Sequence, residues 1–166
     1  LAEVAKTGDR VVLIEDTREL QCTAPNLIAM RTRDGVVTLS ELVRSALRLR
    51  PDRIPIGEVR GPEALDLLKA WGTGHPGGTG TLHAGSVLAA LYRLEQLIQE
   101  AVVTVPRAMI AETIDVIAVL SGRGTARHLS ELAEIDGLDP VTGAYRIRPV
   151  SFSSPETSCS ANGESS

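Results

Sequence analysis

At 166 residues the chain is long enough for one ordinary globular core and gives no reason to invoke two. Hydrophobic residues make up 43% of it but aromatics only 2%, so the core must be built from Leu, Val, Ile and Ala, the usual filling of a parallel sheet with helices on it. With 21 acidic against 17 basic residues the formal charge is -4, which argues against a broad basic surface for direct DNA binding.

Residues 1–7 read as the last turns of a helix whose start lies upstream, closed by Gly8. The chain opens on Leu1 rather than Met, in keeping with a sequence that was cut or processed. Residues 11–14, Val-Val-Leu-Ile, form an unbroken apolar run, as expected of a strand buried on both faces, and the run ends in acid at Glu15 and Asp16. Thr38 and Glu41 have capping-box spacing, after which Leu39, Leu42, Val43, Ala46 and Leu47 fall on one face of a helix that Pro51 stops. A second strand is expected over residues 54–59, weakened by Pro55, which cannot donate to a ladder.

Pro62 suits the first turn of a helix running to about Trp71. A glycine-rich stretch, residues 72–80, then leads into a third expected strand over residues 81–84. Ser86 caps the helix after it, whose Leu88, Leu91, Leu94 and Ile98 are expected to point inward. Pro106 opens a short helix, and residues 115–120 have the composition of another buried strand. Residues 128–135 and 145–150 read as a hairpin around the turn-rich residues 136–143, and the Ser-rich residues 151–166 as a disordered tail. The alternation of helix and strand predicts an α/β fold with a mainly parallel sheet.

Cys22 and Cys159 lie far apart with no ligand-like histidines beside them, which argues against a zinc site or a disulfide framework and fits a reducing cytosol. No run approaches the roughly 18 apolar residues that cross a bilayer, and the amino end has no signal-peptide pattern. A membrane link would therefore come through a partner.

Ligands of open α/β sheets gather at the carboxyl ends of the strands, so acids and histidines there are the candidates for chemistry. Glu15 is placed to take a proton from an attacking water; read alone, it is as well a solvated acid entering a turn. Glu58 is a hard oxygen ligand suited to magnesium through its water shell, or else the ion-pair partner of Arg60. His83 follows Gly77, Gly78 and Gly80, glycines that would let the backbone approach a phosphate and the imidazole sense it; read alone, they are as well a mobile loop and a structural histidine on a strand. Arg31, Arg33 and Arg60 are candidates for stabilising transferred charge. Gly72, Gly74 and Gly77 match the G-x-G-x-x-G dinucleotide fingerprint, but that motif needs a strand before it and a helix after it, and here the expected order is reversed.

In order along the chain, three segments resemble the signature boxes of the secretion ATPases that drive type II and type IV secretion, type IV pili and conjugation. Val12-Leu-Ile-Glu-Asp-Thr-Arg-Glu-Leu20 resembles the aspartate box, residues 45–60 the Walker B segment, and Gly74-His-Pro-Gly-Gly-Thr-Gly-Thr-Leu-His-Ala84 the histidine box. Residues 68–78 and 93–100 look most like the conjugal-transfer (TrbB-like) branch. The resemblance covers residues 1–150 and implies a RecA-like P-loop core, here a partial ATPase domain. It further implies a homohexamer at the cytoplasmic face of the inner membrane that binds ATP and Mg2+, hydrolyses ATP between subunits, and works with inner-membrane components of a secretion channel. Under it Glu15 becomes the water-activating carboxylate, Glu58 the Walker B acid acting on magnesium, and His83 the histidine that reports on the terminal phosphate. No G-x-x-x-x-G-K-[ST] loop occurs in the chain, so the resemblance implies an ATPase as the whole protein and an inactive segment here. The alternative is a non-catalytic remnant or interaction module that packs into such a ring.

Overall fold

The computed structural model describes residues 1–75 and 77–152; of the expected tail, residues 153–166 lie outside the described residues. Near the amino end, residues 4–6 form a single 3-10 turn that closes at an extended Thr7, and Gly8 does not take the left-handed conformation expected of it.

Strand β1 (Arg10–Glu15) carries the first apolar run, with Val11, Val12, Leu13 and Ile14 all buried. It pairs in parallel with β2 (Asn26–Arg31), Arg10 opposite Asn26 and Glu15 opposite Arg31. On its other side the Val12 and Ile14 amides donate to the carbonyls of Arg53 and Pro55, and the Gly57 amide donates to Ile14, each at 3.0 Å. Pro55 has no N–H, so this ladder skips one rung. The expected strand over residues 54–59 thus occupies a strand's place but is joined by bridges rather than a regular ladder.

Beyond it, Ile56 donates to the Thr79 carbonyl at 2.7 Å and Val59 to the Thr81 carbonyl at 2.8 Å. The strand expected over residues 81–84 is not formed: among the described residues the chain there is bonded along one side only and is flanked by Gly80 and Gly85. Four parallel segments therefore lie side by side in the order β2, β1, 53–59, 79–81.

Helix α1 (Leu39–Leu47) begins with the expected capping box: Thr38 Oγ1 accepts from the Glu41 amide at 3.3 Å and Glu41 Oε2 accepts from the Thr38 amide at 2.8 Å. Thr38→Ala is expected to lower stability by about 1 kcal/mol, seen as an earlier urea midpoint with an unchanged slope. Helix α2 (Glu63–Gly72) buries Leu67, Leu68 and Ala70 and packs against α1, α3 (Val87–Gln99) and α4 (Arg107–Thr113). Ser86 caps α3 by accepting from the Ala89 amide, and Glu131 reaches across to accept from the Val87 amide at 2.9 Å, a carboxylate at the positive end of the helix dipole. Of the four residues expected inward on α3, Leu91, Leu94 and Ile98 are buried; Leu88 is exposed because it lies one position off the stripe set by Val87, Leu91, Leu94 and Ile98.

The second sheet is antiparallel, β3 (Val116–Ser121) to β4 (His128–Leu138) to β5 (Tyr145–Pro149). The hairpin expected in the carboxyl part is β4 and β5. Strand β3 was expected to be buried and is not: only Val119 is, while Val116 and Leu120 are exposed, because helices cover one face only and β3 is an edge. Among the described residues no helix is long and apolar enough to cross a membrane.

Candidate functional site

Parallel strands bring their carboxyl ends to one edge, and three sequence-predicted residues meet there. Glu15 ends β1 and is the only buried charged residue among the described residues, 3% exposed. The loop after it folds back so that the amides of Glu19 and Leu20 both donate to Glu15 Oε1, at 3.0 and 2.7 Å. The other oxygen, Oε2, accepts no hydrogen bond among the described residues and is not sealed from solvent. A carboxylate fixed by one oxygen and free at the other is suited to accept a proton from water.

Gly57 lies directly against this side chain; a Cβ there would stand 3.4 Å from Glu15 Cγ. The next residue, Glu58, holds Arg60 through Oε2 and has His83 Nε2 at 3.1 Å from Oε1. The Arg60 guanidinium, and beyond it His83, keep the Glu58 carboxyl below the usual carboxylate range, so it is anionic at neutral pH. The ion pair with Arg60, one of the two readings of Glu58, is thus present, and the same carboxylate also meets His83. The His83 side chain is 95% exposed, open to a ligand arriving at this edge.

Arg60 lines an open cleft of about 890 Å³ with Asp16, Thr32 and Arg33. Its opposite wall is a tight turn in which the Arg33 amide donates to the Val37 carbonyl and the Val37 amide back to Arg33, with Gly35 at φ +67°. Thr32 Oγ1 donates to Asp16 Oδ1 at 2.8 Å, tying that turn to the end of β1. Arg31, at the end of β2, stands beside Glu15 in register and is exposed. Arg31, Arg33 and Arg60 thus all come to the carboxyl edge.

The glycines do not. Gly77 lies against Arg53, at the opposite end of the parallel segments, and Gly78 and Gly80 lie on Trp71. Sequence reasoning missed β2 and Trp71; the apolar run of residues 27–30 after Pro25 was the available signal for the first. Of the fingerprint glycines, Gly72 ends helix α2 and Gly74 and Gly77 follow it, with no helix opening after them until α3, the reverse of a dinucleotide turn. Among the described residues no group of three or more His, Cys, Asp or Glu could hold a metal by itself. The anionic Glu58 is a residue that could hold a magnesium ion through its waters.

The profile of the type II/IV secretion system protein family matches residues 1–135. The chain is 46% identical over 139 residues to the conjugal transfer protein TrbB of Rhizobium radiobacter, covering 82% of this chain and 43% of that one. It is 36% identical over 146 residues to the type IV secretion system protein PtlH of Bordetella pertussis, covering 78% and 43%. Among solved structures, the VirB11 ATPase of the Brucella suis type IV secretion system, crystallised with sulphate, superposes with a TM-score of 0.69 at 31% identity, over 76% of this chain and 40% of that one. The pilus retraction motor PilT with bound ADP shares the fold, with a TM-score of 0.56 at 22% identity over 91% of this chain and 42% of that one. The chain thus spans less than half the length of the curated relatives it matches. With its parallel segments ending in Glu15 and Glu58, its RecA-like fold and a family match over residues 1–135, the chain belongs to the type II/IV secretion system protein family.

Proposed function

We infer that the whole protein is an ATPase that powers type IV secretion or conjugal transfer as a subunit of a homohexamer, and that residues 1–150 form the part of its catalytic domain carrying the water-activating and phosphate-sensing groups. The observation that carries this reading is Glu15, a buried carboxylate with one oxygen held by backbone amides and the other free, at the same strand edge as the Glu58–His83 pair. Glu15 takes the proton of the attacking water. Glu58 would hold Mg2+ through its water shell, and the ion, when bound, would neutralise phosphate charge. His83 donates to the terminal phosphate from its exposed position, and Arg31, Arg33 and Arg60 supply positive charge at the cleft as the transferred group leaves.

The β- and γ-phosphates take their main ligands from a Gly-x-x-x-x-Gly-Lys loop that this sequence does not contain, so this chain alone is expected not to hydrolyse ATP. The whole protein works on the cytoplasmic face of the inner membrane through protein partners there, without direct contact with DNA. The test is steady-state hydrolysis by the whole protein beside this chain alone. Hydrolysis by the first only is expected; no nucleotide binding by the whole protein would overturn the reading. Glu58→Gln is expected to raise the Mg2+ concentration needed for half-maximal rate about tenfold, since outer-shell carboxylates tune metal affinity on that scale.

A further inference from the structure

Of the glycines between α2 and His83, Gly78 and Gly80 lie on a tryptophan. A Cβ at Gly78 would overlap the indole nitrogen of Trp71 and the ring carbons beside it, and one at Gly80 would stand 3.3 Å from Trp71 Cη2 and 3.5 Å from Val59 Cγ2. The indole is itself fixed, its Nε1–H donating to the Ile54 carbonyl at 3.1 Å. One ring therefore touches both the 54–59 segment and the chain that runs beside it.

Alternate residues of extended chain share a face. Gly78, Gly80 and Leu82 form the one turned to Trp71 and the core, Gly80 itself still exposed and Leu82 partly buried, while Thr79, Thr81 and His83 form the exposed outer one. In this register Thr79 and Thr81 accept the amides of Ile56 and Val59, and His83 reaches Glu58. A slip of one residue would turn His83 inward, expose Leu82, and press a β-branched threonine onto the indole where only glycine fits. At the far end Gly77, at φ +82°, is pinned by Arg53, which is ion-paired to Asp9.

We propose that Trp71, with Gly78 and Gly80, is a positioning device that sets the register of residues 77–83 and so delivers His83 to Glu58. The catalytic consequence rests on the reading of His83 as a phosphate-sensing residue; the structural consequence does not. Gly78 has no positive φ, so Gly78→Ala introduces the collision with Trp71 and little else.

In the whole protein, residue-resolved hydrogen exchange is expected to speed up about tenfold at the amides of Ile56 and Val59 in Gly78→Ala, and to stay unchanged at Ile14 and Gly57, whose amides join β1 to the 53–59 segment. Gly85→Ala, where an added Cβ meets nothing within 4 Å, is expected to change none of them. Trp71→Phe, which loses the indole N–H, is expected to loosen the same two amides and stands in should Gly78→Ala not fold. Unchanged or uniformly raised exchange in these variants overturns the positioning role. In the same Gly78→Ala protein kcat for ATP is expected to fall to the level of His83→Ala with KM unchanged. Loosened amides with normal kcat would leave the register device standing and overturn the role given to His83.

Discussion

Glu15→Gln is expected to lower kcat for ATP hydrolysis by the whole protein at least about 100-fold while leaving nucleotide affinity unchanged, the scale lost with a positioned general base. The substitution separates fold from chemistry because of how Glu15 is held. Oε1 accepts two backbone amides, and a glutamine carbonyl oxygen accepts both equally well. The buried position loses a charge rather than gaining an unpaired one, so the melting temperature should hold or rise. The other oxygen becomes an amide nitrogen, whose lone pair is delocalised into the carbonyl and cannot take a proton from water. Glu15→Ala would be a poorer experiment, because it strands the amides of Glu19 and Leu20 and loosens the loop that ends at Leu20. Normal hydrolysis by a folded Glu15→Gln protein would remove Glu15 from the mechanism and leave Glu58 as the acid to examine.

The parts of this site that were legible in the sequence are those that local rules decide. An apolar run followed at once by an acid places Glu15 and Glu58 at strand ends, and a Thr or Ser three residues before an amide donor marks the starts of α1 and α3. The contact between Glu58 and His83 was not legible, because 25 residues separate them and their meeting depends on a register set by Trp71 and two glycines. Read locally, the same glycines fit a mobile loop or a phosphate cradle, and their contact with Trp71 was not legible, since glycine spacing records only that side chains are excluded, not what excludes them. Strand β2 was legible only in the apolar run of residues 27–30, which lies partly exposed at the sheet edge. Strand β3 shows the reverse error, its apolar composition promising burial that one layer of helices provides to Val119 alone.

Glu95→Ala is expected to cost about 2 kcal/mol, a fall in melting temperature of roughly 4–8 °C for a domain of this size. A single oxygen, Glu95 Oε1, accepts both Arg107 Nε at 2.8 Å and the Tyr145 hydroxyl at 2.7 Å, and the Arg107 guanidinium also lies over the Tyr145 ring, 4.7 Å from its centre. Three elements, α3, α4 and β5, meet at that oxygen, so its loss loosens the antiparallel sheet from the helices. The estimate sits below that for a fully buried pair because the Arg107 side chain is 36% exposed and water can replace part of what it loses. Tyr145→Phe is expected to cost about 1 kcal/mol, one neutral partner of the network, and to carry a pH signature. Burial first, and then the bond to Glu95, push the Tyr145 hydroxyl above its ordinary 10.0. A group held protonated by the fold contributes its full stabilisation below pH 10.0 and loses it as the pH climbs through the raised folded value. The wild-type protein should therefore lose stability above pH 10 more steeply than Tyr145→Phe, whose difference from wild type narrows in that range. Parallel alkaline limbs in the two proteins would show that Tyr145 is not held protonated by the fold, and a loss under about 0.5 kcal/mol in Glu95→Ala would place the pair among ordinary surface ion pairs.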